Sequence, residues 1–208
     1  MGSRRWRVRT WALAHPEFAF LAEGMSEADS WATDGHKWLN VPYDNGIVLV
    51  RDTKSLRAAM ALNAAYLGDN EPGNREPSHY TPESSRRARG VDIWAALLSL
   101  GRAGVADLVE RSCRHAQAFA QGLSTRGFEI LNQVVLNQVL VSFGSDEKTK
   151  AVVEKVQKGA ILWCGSTVWQ GRSAMRLSVS SWATTAEDVQ ISIAEIVRAA
   201  QTQPSSGL

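Results

Sequence analysis

The stretch Ala28-Asp29-Ser30-Trp31-Ala32-Thr33-Asp34-Gly35-His36-Lys37-Trp38-Leu39-Asn40-Val41-Pro42-Tyr43-Asp44 carries the reading of this chain. It runs directly into the turn signal Asp44-Asn45-Gly46 and the apolar run Ile47-Val48-Leu49-Val50. Ala28 to Thr33 reads as extended, and a short continuous apolar run after an Asn-Gly turn reads as a buried strand. The predicted order is therefore strand, lysine-bearing loop, turn, strand. A lysine held between two strands faces a cleft, where its neutral amine can attack a carbonyl. On residue type alone, a solvated surface lysine is the ordinary alternative.

Before this stretch, Trp11 to Gly24 reads as a short helix. After it, Gly68 to Gly90 is rich in Gly, Pro, Asn, Ser and charge, an unusually long irregular segment that predicts a mobile loop. Ile93 to Leu100 is helical, and in a second helix Val105, Leu108, Val109, Ala116, Phe119, Ala120 and Leu123 recur at three- and four-residue steps up to a stop at Gly127. Phe128 to Leu131 and Val139 to Phe143 read as strands, and Asp146 to Gln157 as a helix stopped by Gly159. In Met175 to Ser181 the apolar Met175, Leu177 and Val179 alternate with Arg176, Ser178 and Ser180, which puts Arg176 on a polar strand face. The last helix opens at Thr185 with Asp188 three positions on, close to a capping box. Helices alternating with short strands predict an α/β or α+β fold.

Composition narrows the function classes. The chain has 208 residues, 44% of them hydrophobic, and a formal net charge of +2. Four of the first ten residues are arginine (Arg4, Arg5, Arg7, Arg9), but no stacking platform or recognition motif accompanies them, so no nucleic-acid partner is expected. No apolar run approaches the ~18 residues of a membrane span, and Met1 to Thr10 lacks the apolar core of a signal peptide. Cys113 and Cys164 are far apart, without zinc spacing, and read as small buried hydrophobes. No metal site is expected, and the reading is cytoplasmic.

The quoted string resembles the cofactor-lysine segment of the group II pyridoxal-phosphate-dependent decarboxylases, which include the aromatic-amino-acid, glutamate, cysteine-sulfinate and histidine enzymes. The Ala-Asp-Ser start, the His-Lys-Trp core and the following aspartate carry the likeness, and it continues through Arg87-Ala88-Arg89 with Trp94 to Arg176-Leu177-Ser178. The resemblance implies the C-terminal part of a fold-type I (aspartate aminotransferase-like) α/β enzyme. Residues 1–10 would be a non-homologous start, 11–90 the end of the large cofactor-binding domain, and 91–208 the small C-terminal domain. It implies pyridoxal 5'-phosphate as cofactor, an amino-acid substrate and, in a complete protein, a homodimer. Lys37 would be the Schiff-base lysine and His36 would lie beside the cofactor phosphate. Tyr66 would be the catalytic tyrosine of a mobile lid, a weak acid suited to protonating Cα after carbon dioxide leaves, with Tyr80 as its competitor. Arg176 would bind the substrate carboxylate with its fork of donors. The plainer alternatives are a histidine bracing the loop, a packing tyrosine and a surface or interface ion pair.

The chain also departs from the family. Most members carry Asn-Pro where this chain has Asp34-Gly35. Their longer front part supplies a histidine stacked on the cofactor ring and an aspartate that keeps the pyridine nitrogen protonated. Counting back from Lys37, that aspartate falls at Arg5, which predicts a truncated or frame-shifted member with weak cofactor binding and little or no turnover. The rival readings are an aminotransferase or lyase of the same fold, and a non-catalytic fragment.

Overall fold

Each half of the chain is organised by its own antiparallel ladder. The computed structural model describes residues 9–61, 76–83 and 85–201, and the chain divides into two compact units, Met1–Arg102 and Ala103–Leu208.

In the first unit a single helical turn, α1 (Arg9–Ala12), is followed by a 3-10 helix over Pro16–Ala22. The expected continuous helix from Trp11 is broken here because Pro16 has no N–H to donate and His15 takes an extended conformation in front of it. Strand β1 (Ser30–Asp34) pairs antiparallel with β2 (Gly46–Val50), from Ser30 opposite Val50 to Asp34 opposite Gly46. Between them lies one turn of helix, α2 (Gly35–Trp38), and after them α3 (Thr53–Met60), whose first turn is capped by Asp52 accepting from the Lys54 N–H. The predicted order of elements holds, but β2 is not a buried strand. Val48 and Leu49 are 56% and 49% exposed, since a two-stranded ribbon has few neighbours with which to cover both faces.

The segment expected to form an irregular loop contains a 3-10 turn at Pro77–Tyr80 and ends where α4 (Gly90–Ser124) begins. Residues 68–75 and 84, with Tyr66, lie outside the described residues. The two helices expected from the sequence form one run broken at Gly101, whose φ of 60° and ψ of −174° suit a residue without Cβ.

The second unit is a four-stranded antiparallel sheet in the order β3 (Glu129–Ile130), β4 (Gln138–Ser142), β6 (Arg172–Ser178), β5 (Gly165–Trp169). Helices α5 (Asp146–Gly159) and α6 (Ala186–Gln201) and the later part of α4 pack against it. The core joins Phe119 and Leu123 of α4, Val139 and Val141 of β4, Val152 and Val156 of α5, Met175 and Leu177 of β6, and Ile193 and Ile196 of α6. Thr185 and Asp188 form the predicted reciprocal cap: the Thr185 N–H donates to Asp188 Oδ2 at 2.8 Å and the Asp188 N–H to Thr185 Oγ1 at 3.2 Å. Gly159 does not stop α5; Ala160 takes the left-handed cap position instead, with φ 55°. Gly159 lies close to α6: a Cβ there would stand 2.9 Å from Glu195 Oε1, so that the carboxylate end of Glu195 would have to shift. Both cysteines are buried, and burial pushes their thiols up, to about 12 for Cys113 and about 11 for Cys164, so neither is a nucleophile near neutrality.

Candidate active site

The lysine turn is built from the inside outward. Trp38 and Leu39 are 2% and 5% exposed and anchor it, while Asn40, in the left-handed region with φ 53°, donates from Nδ2 to the Trp38 carbonyl at 2.9 Å. The buried Gly35 presses against Asn45: its N–H donates to the Asn45 carbonyl at 3.1 Å, and a Cβ on it would meet Val41 Cγ2 at 3.2 Å. With the inward positions filled, Lys37 points out. Its side chain is 48% exposed, which corrects the expectation that it faces a cleft, and Nζ donates to Asp34 Oδ2 at 2.6 Å. Asp34 and Lys37, three residues apart, share one face of the turn.

Next to the lysine, His36 Nδ1 lies 3.2 Å from the same Asn45 carbonyl. A carbonyl only accepts, so this contact places the proton on Nδ1 and leaves Nε2 for another partner. The His36 ring stacks on the exposed Tyr43 at 4.4 Å between centroids.

Asn45 ties this turn to a charged cluster. It is 1% exposed and donates from Nδ2 to the Pro42 carbonyl at 3.0 Å and to Asp92 Oδ2 at 3.2 Å. Arg87 bridges Asp44, at 2.6 Å, and Asp92, and Arg89 Nε donates to Asp44 at 2.8 Å. Hydrogen bonds from Arg87 and then Arg89 hold the Asp44 carboxyl below the usual carboxylate range, and those from Arg87 and then Asn45 do the same for Asp92. Beside this cluster, β2, the 3-10 turn and the start of α4 line a cleft of about 1200 Å³; Tyr80 and Trp94 line it, whereas His36 and Lys37 do not.

In the second unit Arg176 lies on the exposed face of β6, opposite Leu140 and Gly165. Its guanidinium lies over Gly165, where a Cβ would be in ordinary contact with Nη2 at 3.4 Å. On the same strand Arg172 is engaged by both carboxylate oxygens of Glu129, at 2.8 and 2.5 Å. Arg176 forms no ion pair among the described residues.

The sequence profile of the pyridoxal-dependent decarboxylase conserved domain matches residues 11–145. The chain belongs to the pyridoxal-dependent decarboxylase family. It is 28% identical over 190 residues to histidine decarboxylase of Drosophila melanogaster, covering 90% of this chain and 22% of that one. It is 26% identical to aromatic-L-amino-acid decarboxylase of Drosophila lebanonensis, covering 90% and 47%. Its fold matches that of TDC of Oryza sativa, solved with PLP and tryptamine, at a TM-score of 0.84 and 22% identity over 91% of this chain and 42% of that one. The decarboxylase fold is thus shared with fold-type I enzymes, and the chain spans less than half the length of these relatives. Among the described residues no helix is long and apolar enough to cross a membrane.

The donor set of this chain fits the reactive end of pyridoxal phosphate. An outward primary amine suits its aldehyde, and an adjoining imidazole with Nε2 uncommitted by the Asn45 contact suits an anion. Tyr66 and Arg5 lie outside the described residues. The sequence gives Asn45 only as a turn residue; its role in holding His36 and Asp92 follows from burial, which local pattern does not reveal.

Two expected results follow from this geometry. Asn45→Leu removes one hydrogen bond each from the Asp92 carboxylate and the Pro42 carbonyl, which keep Arg87 and the residue-45 N–H as donors, at a cost of about 0.5–1.5 kcal/mol per bond. It should raise the rate of tryptic cleavage after Lys37, because local opening exposes that bond; unchanged cleavage and melting would remove Asn45 from this role. For Asp44 and Asp92 the folded-state pKa values are lowered, so their stabilisation is present above the unfolded value of about 4 and is lost as pH falls through the folded ones. In melting curves taken across acid pH, the gap between wild type and Asp44→Asn should be open at pH ~6 and close below ~4.

Proposed function

We infer that this chain carries the cofactor anchor and the substrate-carboxylate site of an amine-forming amino-acid α-decarboxylase. The observation behind this is the lysine turn: a family-matching His-Lys-Trp segment whose buried Trp38 and Leu39 turn the Lys37 amine outward beside His36. Bound pyridoxal phosphate supplies an electron sink for the pair left at Cα when carbon dioxide departs. Lys37 Nζ is the group that would hold the cofactor's aldehyde carbon, and His36 would be available to its phosphate. Arg176, without an ion pair among the described residues, offers its fork of donors to a substrate carboxylate. Tyr66 is the acid that returns a proton to Cα, as its likeness to the family's lid tyrosine implies. In this reading residues 11–90 are the end of the large domain and 91–208 the small domain of an enzyme that works as a homodimer on an amino-acid substrate.

The test is to incubate the chain with pyridoxal phosphate, reduce with borohydride and map the modified peptide. Label concentrated on Lys37 supports the reading, and label spread evenly over surface lysines overturns it. Product analysis on the complete protein then separates this reaction, which yields carbon dioxide and an amine, from transamination or another lyase step.

A further inference from the structure

Within its own turn Lys37 has a carboxylate partner, Asp34. We propose that Asp34 is an electrostatic latch on Lys37, a positioning residue that holds the ammonium against the turn and slows its capture of an anionic aldehyde. This rests on Lys37 being the cofactor anchor.

The turn itself sets the contact. Asp34 ends β1 and Lys37 is the third residue of α2, so the two side chains leave the same face, and Nζ reaches Oδ2 at 2.6 Å. The Asp34 side chain is only 18% exposed, against 48% for Lys37, so the carboxylate is the sheltered partner and the ammonium the one that can swing away. The buried Trp38 and Leu39 and the Asn40 bond to the Trp38 carbonyl fix the backbone between them.

Two physical consequences follow for an incoming aldehyde that carries a phosphate. Only a neutral amine has the lone pair that attacks, so the ammonium must leave the ion pair and give a proton to solvent first. Its nitrogen then adds to the aldehyde carbon, and the carbonyl oxygen departs as water. Meanwhile the carboxylate repels an approaching phosphate dianion. An asparagine at the same position keeps the shape and removes both effects.

The experiment compares wild type, Asp34→Asn and Asp34→Glu with two probes at one pH. Acetic anhydride, a neutral reagent, reads the availability of the Lys37 amine without any cofactor; pyridoxal phosphate with borohydride reads capture. Both are followed by peptide mass mapping, with other lysines as internal standards. Asp34→Asn should acetylate Lys37 about two- to fivefold faster, the range an exposed ion pair supports, and should give more reduced adduct at Lys37. Asp34→Glu should stay close to wild type. In molar salt, where the screening length is about 3 Å, the acetylation difference should shrink; a merely structural change would not respond to salt or to restoring a carboxylate.

Equal or slower acetylation of Lys37 in Asp34→Asn overturns the latch, and if wild type still forms the Lys37 adduct, the cofactor reading stands without it. Faster acetylation with no Lys37 adduct in any variant overturns both the latch on capture and the cofactor reading.

Discussion

Lys37→Ala is expected to abolish the reduced pyridoxyl adduct on the peptide that spans the lysine turn, while the slow labelling of exposed lysines such as Lys54, Lys148 and Lys150 continues unchanged. The effect should be all or none at that peptide, because the adduct is a bond to the missing nitrogen. The fold should survive. Alanine is the best helix former and fits the exposed position, the anchors Trp38 and Leu39 are untouched, and the lost Asp34 contact, being half exposed, contributes at most about 1 kcal/mol. A melting temperature close to wild type together with lost adduct would tie the chemistry to one amine. Persistent adduct in the same peptide would place the modification elsewhere, and the inference that Lys37 anchors the cofactor would fail.

What the sequence discloses here depends on how local the cause is. The order of strand, lysine turn and strand is legible because Asn45-Gly46 and the apolar run after it are local signals. The final helix is legible for the same reason, through Thr185 and Asp188. Strand β5 is missed because its evidence is a turn of unusual composition. Gln170 and Gly171, with φ of 50° and 81°, form the two-residue link between Trp169 and Arg172, a conformation usually signalled by Asn-Gly. Gly159 looks like a helix stop, but the left-handed cap falls one residue later, at Ala160. The exposure of Val48 and Leu49 is likewise a matter of what packs on the ribbon and cannot be read from the apolar run.

The same division governs the site. His36 and Lys37 are legible from their motif, since a family likeness reads consecutive residues well. The Asp34 ion pair is allowed by the three-residue spacing of its turn, but the Asn45 bond to Asp92 and the Arg87 bond to Asp44 join residues more than forty positions apart. No spacing rule predicts these last two.

In the second unit the largest expected effect on stability comes from Ile196→Ala. Ile196 is fully buried on α6 among core residues that include Val139, Met175 and Leu177 of the sheet, and truncating a buried isoleucine costs about 2–5 kcal/mol through lost transfer energy and the cavity left behind. Against a typical total of about 5–15 kcal/mol, that is a large fraction. The higher helix propensity of alanine returns only about 0.4 kcal/mol. Ile191, five positions earlier on the same helix, is 48% exposed, so Ile191→Ala should stay within about 0.5 kcal/mol of wild type. Urea unfolding followed by circular dichroism measures both: the midpoint should fall for Ile196→Ala with the slope unchanged, and hardly move for Ile191→Ala. Because both substitutions remove the same atoms from the same helix, the difference between them isolates burial. Similar losses at the two positions would mean that α6 does not present its Ile193 and Ile196 face to the sheet, and the two-layer packing of this unit would be wrong.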